Sequence, residues 1–271
     1  MNEDWTGERM EPFVYEAATL EHLHRYALAM NFTEGKVVLD IACGEGYGTN
    51  LIAKKAEKVF GIDIDETTIN NAAKKYKRPN LIFKKGSAID LPLEENKFDV
   101  IISFETIEHV EQQDQMLTEI KRVLKPGGLL IISTPDKKTY SDETGFRNKF
   151  HVKELYKEEF IQLVQGYFKY QKALQQNFVH GSLIIGSDDG SIKIYEGNFD
   201  GIDSRIPNAL FWIILASDES IEEVPSSVFH DKDFLNKILE AEVASLKRTF
   251  TYRFGHFLLL PFKWMVSIFR S

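Results

Sequence analysis

The sequence predicts an α/β protein built on a twisted, mostly parallel sheet with helices on both faces. Three observations lead there. Between residues 36 and 134, short apolar runs alternate with helix-length amphipathic stretches. The first run, KVVLDIACGEGYGT over residues 36–49, passes from buried-strand residues Val37, Val38, Leu39 and Ile41 into a glycine-rich turn. The second, Val59–Asp63, also ends in a carboxylate. In open sheets of this kind ligands bind outside the carboxyl ends of the strands. The turn of Gly44, Glu45, Gly46, Tyr47 and Gly48 therefore marks the site.

The elements follow in order. Residues 1–35 form an N-terminal helical cap, in which Glu16–Met30 sets Ala17, Leu20, Leu23, Ala27 and Met30 at helical spacing. His24 reads as an outward polar residue of that helix. The first strand and glycine turn lead into a helix, and Val59–Asp63 is the second strand. Asp65 reads as the N-cap of a helix over Glu66–Tyr76. Asn80–Lys84 is the third strand and Phe98–Ser103 the fourth. Leu124-Lys125-Pro126-Gly127-Gly128 is a helix stop and turn before a fifth strand, Leu129–Ser133. A polar segment, Pro135–Asn148, precedes a helix over His151–Val164 and a sixth strand, Phe168–Gln175. Asn208–Ser217 is a strongly apolar seventh strand. Residues 177–207 are then an insertion, with a hairpin signal at Ser187-Asp188-Asp189-Gly190-Ser191.

Residues 36–217 thus form the main domain, and 218–271 a helical extension. Its helix over 231–249 has Asp231 or Asp233 as N-cap. Its tail from Lys247 carries five positive charges and no acid, among aromatic and aliphatic side chains interrupted by Pro261. Such a segment lies on a membrane surface or docks on protein, its own core or a second subunit. Docking on protein is the favoured reading, because so many apolar side chains would otherwise form a large exposed patch.

The 271 residues carry a net charge of −8, with 12% aromatic and 43% hydrophobic residues, the composition of a globular protein. The negative charge disfavours broad attraction to nucleic acid, where phosphate neutralisation dominates affinity. Cys43 is the single cysteine, so no intramolecular disulfide forms and a reducing cytoplasm is expected. Within the glycine turn it reads as a small packing residue. Met1–Arg9 is polar, without the apolar stretch of a secretory leader, and no apolar run approaches the ~20 residues of a spanning helix.

The glycine turn suits a nucleotide-type ligand. A dinucleotide fingerprint wants a third glycine where Thr49 stands, while Gly48 comes one residue early, so a pyrophosphate reader is not favoured. D-I-A-C-G-E-G-Y-G instead resembles motif I of class I S-adenosylmethionine-dependent methyltransferases. The resemblance extends to V-F-G-I-D, to the loop Gly86–Pro92, and to F-D-V-I-I-S-F-E-T-I-E-H-V followed by R-V-L-K-P-G-G. It implies a Rossmann-like seven-stranded methyltransferase sheet with its last strand antiparallel, inserted between the fifth and sixth. It implies S-adenosylmethionine as cofactor, S-adenosylhomocysteine as product, and a cofactor seat of Asp40, Ala42, Gly44, Gly46, Tyr47, Asp63, Ile64, Ser87, Ala88 and Phe104. Asp40 would lie near the methionine ammonium. Asp63, preferred over Asp65, would accept the ribose hydroxyls. Ser87 departs from the family's usual Asp or Asn beside the adenine.

A narrower resemblance rests on Thr6–Met10, Glu21–Tyr26, Cys43–Gly48, Ser103–His109, Ser133–Pro135 and Phe150–Glu154. Together these resemble bacterial methyltransferases of O-antigen, capsule or surface-glycan loci. That implies O-methylation of a sugar hydroxyl or a phosphate-type cap on a glycan-linked acceptor. A small-molecule methyltransferase of quinone or natural-product type is an alternative, and a non-catalytic adenosylmethionine-binding scaffold in a glycan-assembly complex another. Peripheral membrane contact and homo-oligomers are compatible with the tail.

Methyl transfer to a hydroxyl needs alignment and a proton acceptor. Glu105 and His109 are spaced to share a face if their segment is helical, and imidazole suits proton transfer near neutrality. His151, after the fifth strand, faces the same side in this topology. Each histidine also reads as an anchoring residue at a helix start. Arg9 and Arg25 read as contacts for the cofactor carboxylate or an acidic acceptor. No tight His, Asp or Glu spacing in the sequence forms a metal ligand set, so none is expected.

Overall fold

In the computed structural model the described residues are 17–178, 182–186, 194–198, 201–205, 209–231, 234–249, 251 and 254. The chain falls into two compact units, Met1–His230 and Asp231–Ser271.

The first unit opens with helix α1 (Ala17–Met30). Strand β1 (Val37–Ile41), helix α2 (Tyr47–Ile52), strand β2 (Lys58–Asp63), helix α3 (Glu66–Lys75) and strand β3 (Leu81–Lys85) follow. Then come β4 (Phe98–Phe104), α4 (Gln113–Val123), β5 (Leu124–Pro135), α5 (Lys157–Gln165), β6 (Tyr170–Phe178), β7 (Ser182–Gly186), β8 (Ile194–Asn198), β9 (Gly201–Arg205), β10 (Phe211–Ser217) and β11 (Ser227–Phe229). Nine strands form one sheet in the order β11-β7-β6-β10-β5-β4-β1-β2-β3. β1 to β5 run parallel, while β10 inserts antiparallel between β5 and β6, in the register Ile213↔Ser133 and Ile213↔Leu174.

Seven of these strands match the expected sheet. The other two, β7 and β11, extend it from the far edge and come from the insertion and the segment after β10. Among the described residues, the remaining insertion strands, β8 and β9, pair with each other and not with the main sheet. The hairpin expected at 187–191 lies outside the described residues. The strands flanking it, β7 and β8, belong to different sheets and do not pair.

Burial on both faces explains the apolar strands. Along β1, Leu39 belongs to the core on one face, with Ile62, Met116, Ile120, Phe160 and Trp212, while Val38 belongs to the core on the other, with Leu28, Ile52, Val59 and Ile213. β10 is buried at all seven positions, which fits its place in the middle of the sheet. Asp65 caps α3 as expected, accepting the N–H groups of Thr67 and Thr68. Helix α5 starts at Lys157 instead of His151, and the Glu159 carboxylate in its first turn reaches back to accept the Tyr156 N–H (3.0 Å). His151 therefore sits in a loop.

The cap helix departs from the surface role read for it. His24 is 3% exposed. Its Nδ1 shares a hydrogen bond with Ser182 Oγ (2.9 Å) and its Nε2 one with Ser227 Oγ (2.9 Å). One imidazole thus ties α1 to the two added strands. An amphipathic pattern does not reveal them, because they arrive from 158 and 203 residues away.

Two glycines fix how α1 and β3 meet the glycine turn. Gly46 has φ +75°, and a Cβ there would lie 2.6 Å from the Phe83 ring. Gly48 lies against the Tyr26 ring, which a Cβ would meet at 1.9 Å. The glycine that spoils the dinucleotide spacing is the one that lets Tyr26 in.

The second unit contains α6 (Phe234–Arg248), whose Leu239, Val243 and Leu246 are exposed. Asp233 and most of the tail lie outside the described residues. No helix among the described residues is long and apolar enough to cross a membrane.

Gly48→Ala is expected to lower unfolding free energy by about 1–3 kcal/mol through overpacking against Tyr26, measured by urea denaturation. Parental stability would refute the close approach.

Candidate functional site

A cavity of about 1170 Å³ opens over the carboxyl ends of β1, β2, β4 and β5. This is the switch point of the sheet, where β1 and β4 are neighbours and the chain crosses to opposite faces. Two regions of its wall differ in chemistry.

The first is built by the strand ends and the glycine turn. Ala42, Gly44, Tyr47, Asp63, Ile64, Ser87, Ala88 and Phe104 all line it, as the motifs imply. Asp63 Oδ2 accepts the Gly44 N–H (2.9 Å) and Oδ1 accepts the Asp65 N–H (3.0 Å), so one carboxylate holds the turn and faces the cavity. Ile64 is 67% exposed, an apolar side chain left bare at the rim. Ser87 is bridged to Asp90 in a tight loop, and Asp90 itself is exposed.

Asp40 and Gly46 do not line the cavity. Asp40 is 1% exposed. Its Oδ2 accepts from Thr49 Oγ1 (2.7 Å), and both oxygens lie 3.3–3.4 Å from the Tyr26 hydroxyl. Burial pushes its pKa up to about 7, against the opposing pull of those hydroxyls. Its role in this geometry is to support the turn from behind. Cys43 is buried, and burial among carboxylates pushes its thiol well above the usual range, which fits packing.

The second region brings together Glu105, Glu108, His109 and His151. Glu105 and His109 do not share a helical face, because Ile107–His109 is a single 3₁₀ turn and Glu105 has φ +48°. The tight turn nevertheless delivers both to the wall. Glu105 Oε1 accepts from Ser133 Oγ (2.6 Å) at the end of β5. His109 Nδ1 meets the Phe150 carbonyl (3.0 Å), so this nitrogen carries the proton. His151 Nδ1 lies 2.6 Å from Glu154 Oε1. Its ring stacks on Tyr140 and meets His109 edge-on, at a centroid distance of 4.9 Å.

Glu108, which the sequence places with Glu105 and His109 in the segment after β4 but to which it assigns no role, belongs to this cluster. It is 1% exposed, and burial with the nearby Glu105 charge holds its carboxyl well above the usual range. One ligand-type atom from each of Glu108, His109 and His151 lies within 4.8 Å of the others. This grouping has no counterpart in sequence spacing, since His151 arrives from a separate loop.

Glu21 of α1 also lines the cavity, its pKa raised to about 7 by burial and tempered by Arg25. Arg25 does not reach the wall. It is fully buried, donates from Nη1 to Gln176 Oε1 (2.7 Å), lies 3.8 Å from Glu105 Oε1 and stacks over Phe211. Arg9 lies outside the described residues. The cavity wall carries no Lys or Arg among the described residues but includes Glu21, Glu45, Asp63, Glu105, Glu108 and Glu111.

Residues 39–132 match a family model described as a methyltransferase domain. The chain is 37% identical over 164 residues, 59% of its length, to a "probable S-adenosylmethionine-dependent methyltransferase" of Mycolicibacterium smegmatis, and spans 63% of that protein. It is 31% identical over 120 residues, 41% of its length, to a fatty-acid O-methyltransferase of the same organism, spanning 44% of it. Against the crystal structure of the YcgJ protein of Bacillus subtilis the TM-score is 0.56 at 16% identity, covering 73% of this chain and all of that one, a likeness of fold. The glycan-locus resemblance is not matched by these relatives.

Asp40 gives a pH signature. Its carboxyl titrates near 7 when folded and near 3.8 when exposed. The folded state therefore favours the protonated form, and this stabilisation is complete below pH 4 and lost as pH rises through 7. Without ligand, the parent should lose more thermal stability between pH 4 and 8 than Asp40→Asn, and the variant should melt higher at pH 8. Parallel melting curves across that window would contradict the buried, protonated state.

Proposed function

We propose that this chain, whose core is a class I S-adenosylmethionine-dependent methyltransferase domain, transfers the cofactor's methyl group to a neutral hydroxyl. The observation that carries the acceptor chemistry is the cavity wall, rich in carboxylates and imidazoles and without Lys or Arg among its described residues. An anionic phosphate or carboxylate acceptor would meet repulsion there. A polyhydroxyl acceptor would find hydrogen-bond acceptors.

S-Adenosylmethionine would sit along the strand-end region, with Asp63 toward the ribose and Ser87 and Ala88 toward the adenine. Its sulfonium carbon is already electrophilic, so the protein mainly aligns the reactants and excludes water. The hydroxyl proton passes to the cluster of Glu105, Glu108, His109 and His151. The oxygen attacks the methyl carbon, the carbon–sulfur bond breaks, and its electron pair stays on sulfur as S-adenosylhomocysteine. The products are a methyl ether and a neutral thioether.

Within this chemistry a sugar hydroxyl, as in surface-glycan methylation, is the first reading of the acceptor. The second is a hydroxyl on a lipid-like molecule. It is favoured by Phe146 and Val152, both cavity-lining and 53% and 61% exposed.

Calorimetry should show binding of S-adenosylhomocysteine, weakened several-fold or more in Asp63→Ala, and no tight NAD binding. Unchanged affinity in that variant would remove the cofactor seat. Release of S-adenosylhomocysteine with oligosaccharides, fatty alcohols and phosphorylated sugars then ranks the acceptors, and the phosphorylated sugars should be poorest. No turnover with any of them would favour a binding scaffold.

With an active acceptor, His109→Ala, His151→Ala and Glu105→Gln should each lower turnover by about 10²–10⁴-fold at nearly constant cofactor affinity. Near-parental turnover in all three between pH 6 and 9 would rule out proton transfer to this cluster.

A further inference from the structure

We propose that Glu108, His109 and His151 form a binding site for one divalent transition-metal cation. Their candidate ligand atoms already lie within 4.8 Å of one another, and the two loops that carry them are pinned together. The Glu108 carbonyl accepts the N–H groups of Val152 (2.9 Å) and Lys153 (3.1 Å). Gln113 Nε2 bridges the Ile107 and Lys153 carbonyls at 2.9 Å each. The cluster is built into the fold and does not depend on a chance meeting of mobile side chains.

Each side chain is prepared as a ligand. A metal-bound histidine usually donates its other ring N–H to a carbonyl or carboxylate, which fixes the tautomer and aims the ring. His109 donates from Nδ1 to the Phe150 carbonyl, and His151 Nδ1 pairs with Glu154 Oε1. Glu154 is itself held, accepting from Ser141 Oγ (2.8 Å). Both Nε2 atoms are therefore the basic ones. His109 Nε2 lies 3.9 Å from Glu108 Oε1. His151 Nε2 lies 3.0 Å from Asn148 Nδ2, a contact the cation would replace.

Glu108 supplies the independent observation. Its Oε2 accepts from Thr134 Oγ1 (3.0 Å), but Oε1 is buried with no hydrogen-bond partner. A carboxylate oxygen buried in this way is costly. A cation facing it and two imidazole nitrogens removes that cost, and it supplies the positive charge that a wall of carboxylates without Lys or Arg lacks.

Two imidazoles and one carboxylate suit Zn²⁺, Fe²⁺ or Mn²⁺ better than the all-oxygen shells of Mg²⁺ and Ca²⁺. Three protein ligands leave coordination positions open toward the cavity. The function of the ion rests on the methyltransferase reading, whereas its binding does not. In that reading the acceptor hydroxyl occupies an open position and becomes more acidic there. Its proton leaves to Glu105, which is not a ligand, and the remaining bond changes are those given above.

The test uses the full chain, stripped with chelator and dialysed against Zn²⁺ or Mn²⁺ alone, with bound metal measured by mass spectrometry. One equivalent per chain is expected. Glu108→Gln and His151→Ala should each weaken binding by at least 10-fold, and Glu154→Gln by about 10–100-fold through loss of the outer partner. Uptake that matches the parent in Glu108→Gln, or no uptake above that of a stripped control protein, overturns the site. Should His151→Ala fail to fold, the near-isosteric Glu108→Gln and Glu154→Gln decide. Calorimetry with S-adenosylhomocysteine on the same samples separates the two readings. Cofactor binding without metal uptake overturns this site alone. Metal uptake without cofactor binding keeps the site and removes the methyltransferase role.

Discussion

The architecture of the site depends on a carboxylate the ligand need never touch. Asp40, the penultimate residue of β1, is buried between the Thr49 hydroxyl of α2 and the Tyr26 hydroxyl of α1. Leaving such a group unpartnered in the interior would cost several kcal/mol, so it draws two helices onto one strand end. Tyr26 then packs edge-on against Tyr47 and Phe104 and fills the space that Gly48 leaves. The cap helix, the glycine turn and the end of β4 are thereby held in one arrangement, and the cavity is the space they enclose.

A second buried polar network anchors the cap at its other side. Gln176 on β6 donates to the Glu21 carbonyl and to Ser182, accepts from Arg25, and so joins α1 to β6 and β7. His24 adds β11 through Ser227. Arg25, stacked on Phe211, places a positive charge 3.8 Å from Glu105. The added edge strands consequently do more than widen the sheet. They fix the helix that supplies Glu21 and Tyr26 to the cavity wall.

The two regions of the cavity answer to different physics. In the cofactor region, backbone geometry and strand-end carboxylates dominate, and these follow from local sequence. In the acceptor region, charge dominates. Glu105 and Glu108 are close enough to raise the proton affinity of Glu108, and the neighbouring imidazoles are aimed by a carbonyl and a carboxylate. Such a cluster is suited to handling a proton or a cation, and either use fits chemistry at a neutral hydroxyl.

Much of this was legible in the chain itself. The strands β1, β2, β4 and β10 are runs of apolar residues whose burial follows from their composition. Asp65 announces its cap, and the glycine turn announces a ligand. The antiparallel place of β10 followed from the family resemblance. Sequence periodicity did not reveal the partners of His24, Arg25 or Asp40, because these side chains meet groups 9 to 203 residues distant and no local pattern encodes them. It misplaced the start of α5, where an apolar spacing continued across a loop. It placed Glu108 in the acceptor segment without a role, since a carboxylate beside a histidine is ordinary until His151 is folded against it. Local propensity and burial determine which segments become strands and helices. Long-range contacts between buried polar groups, which must be satisfied once water is excluded, decide which of those residues become a site.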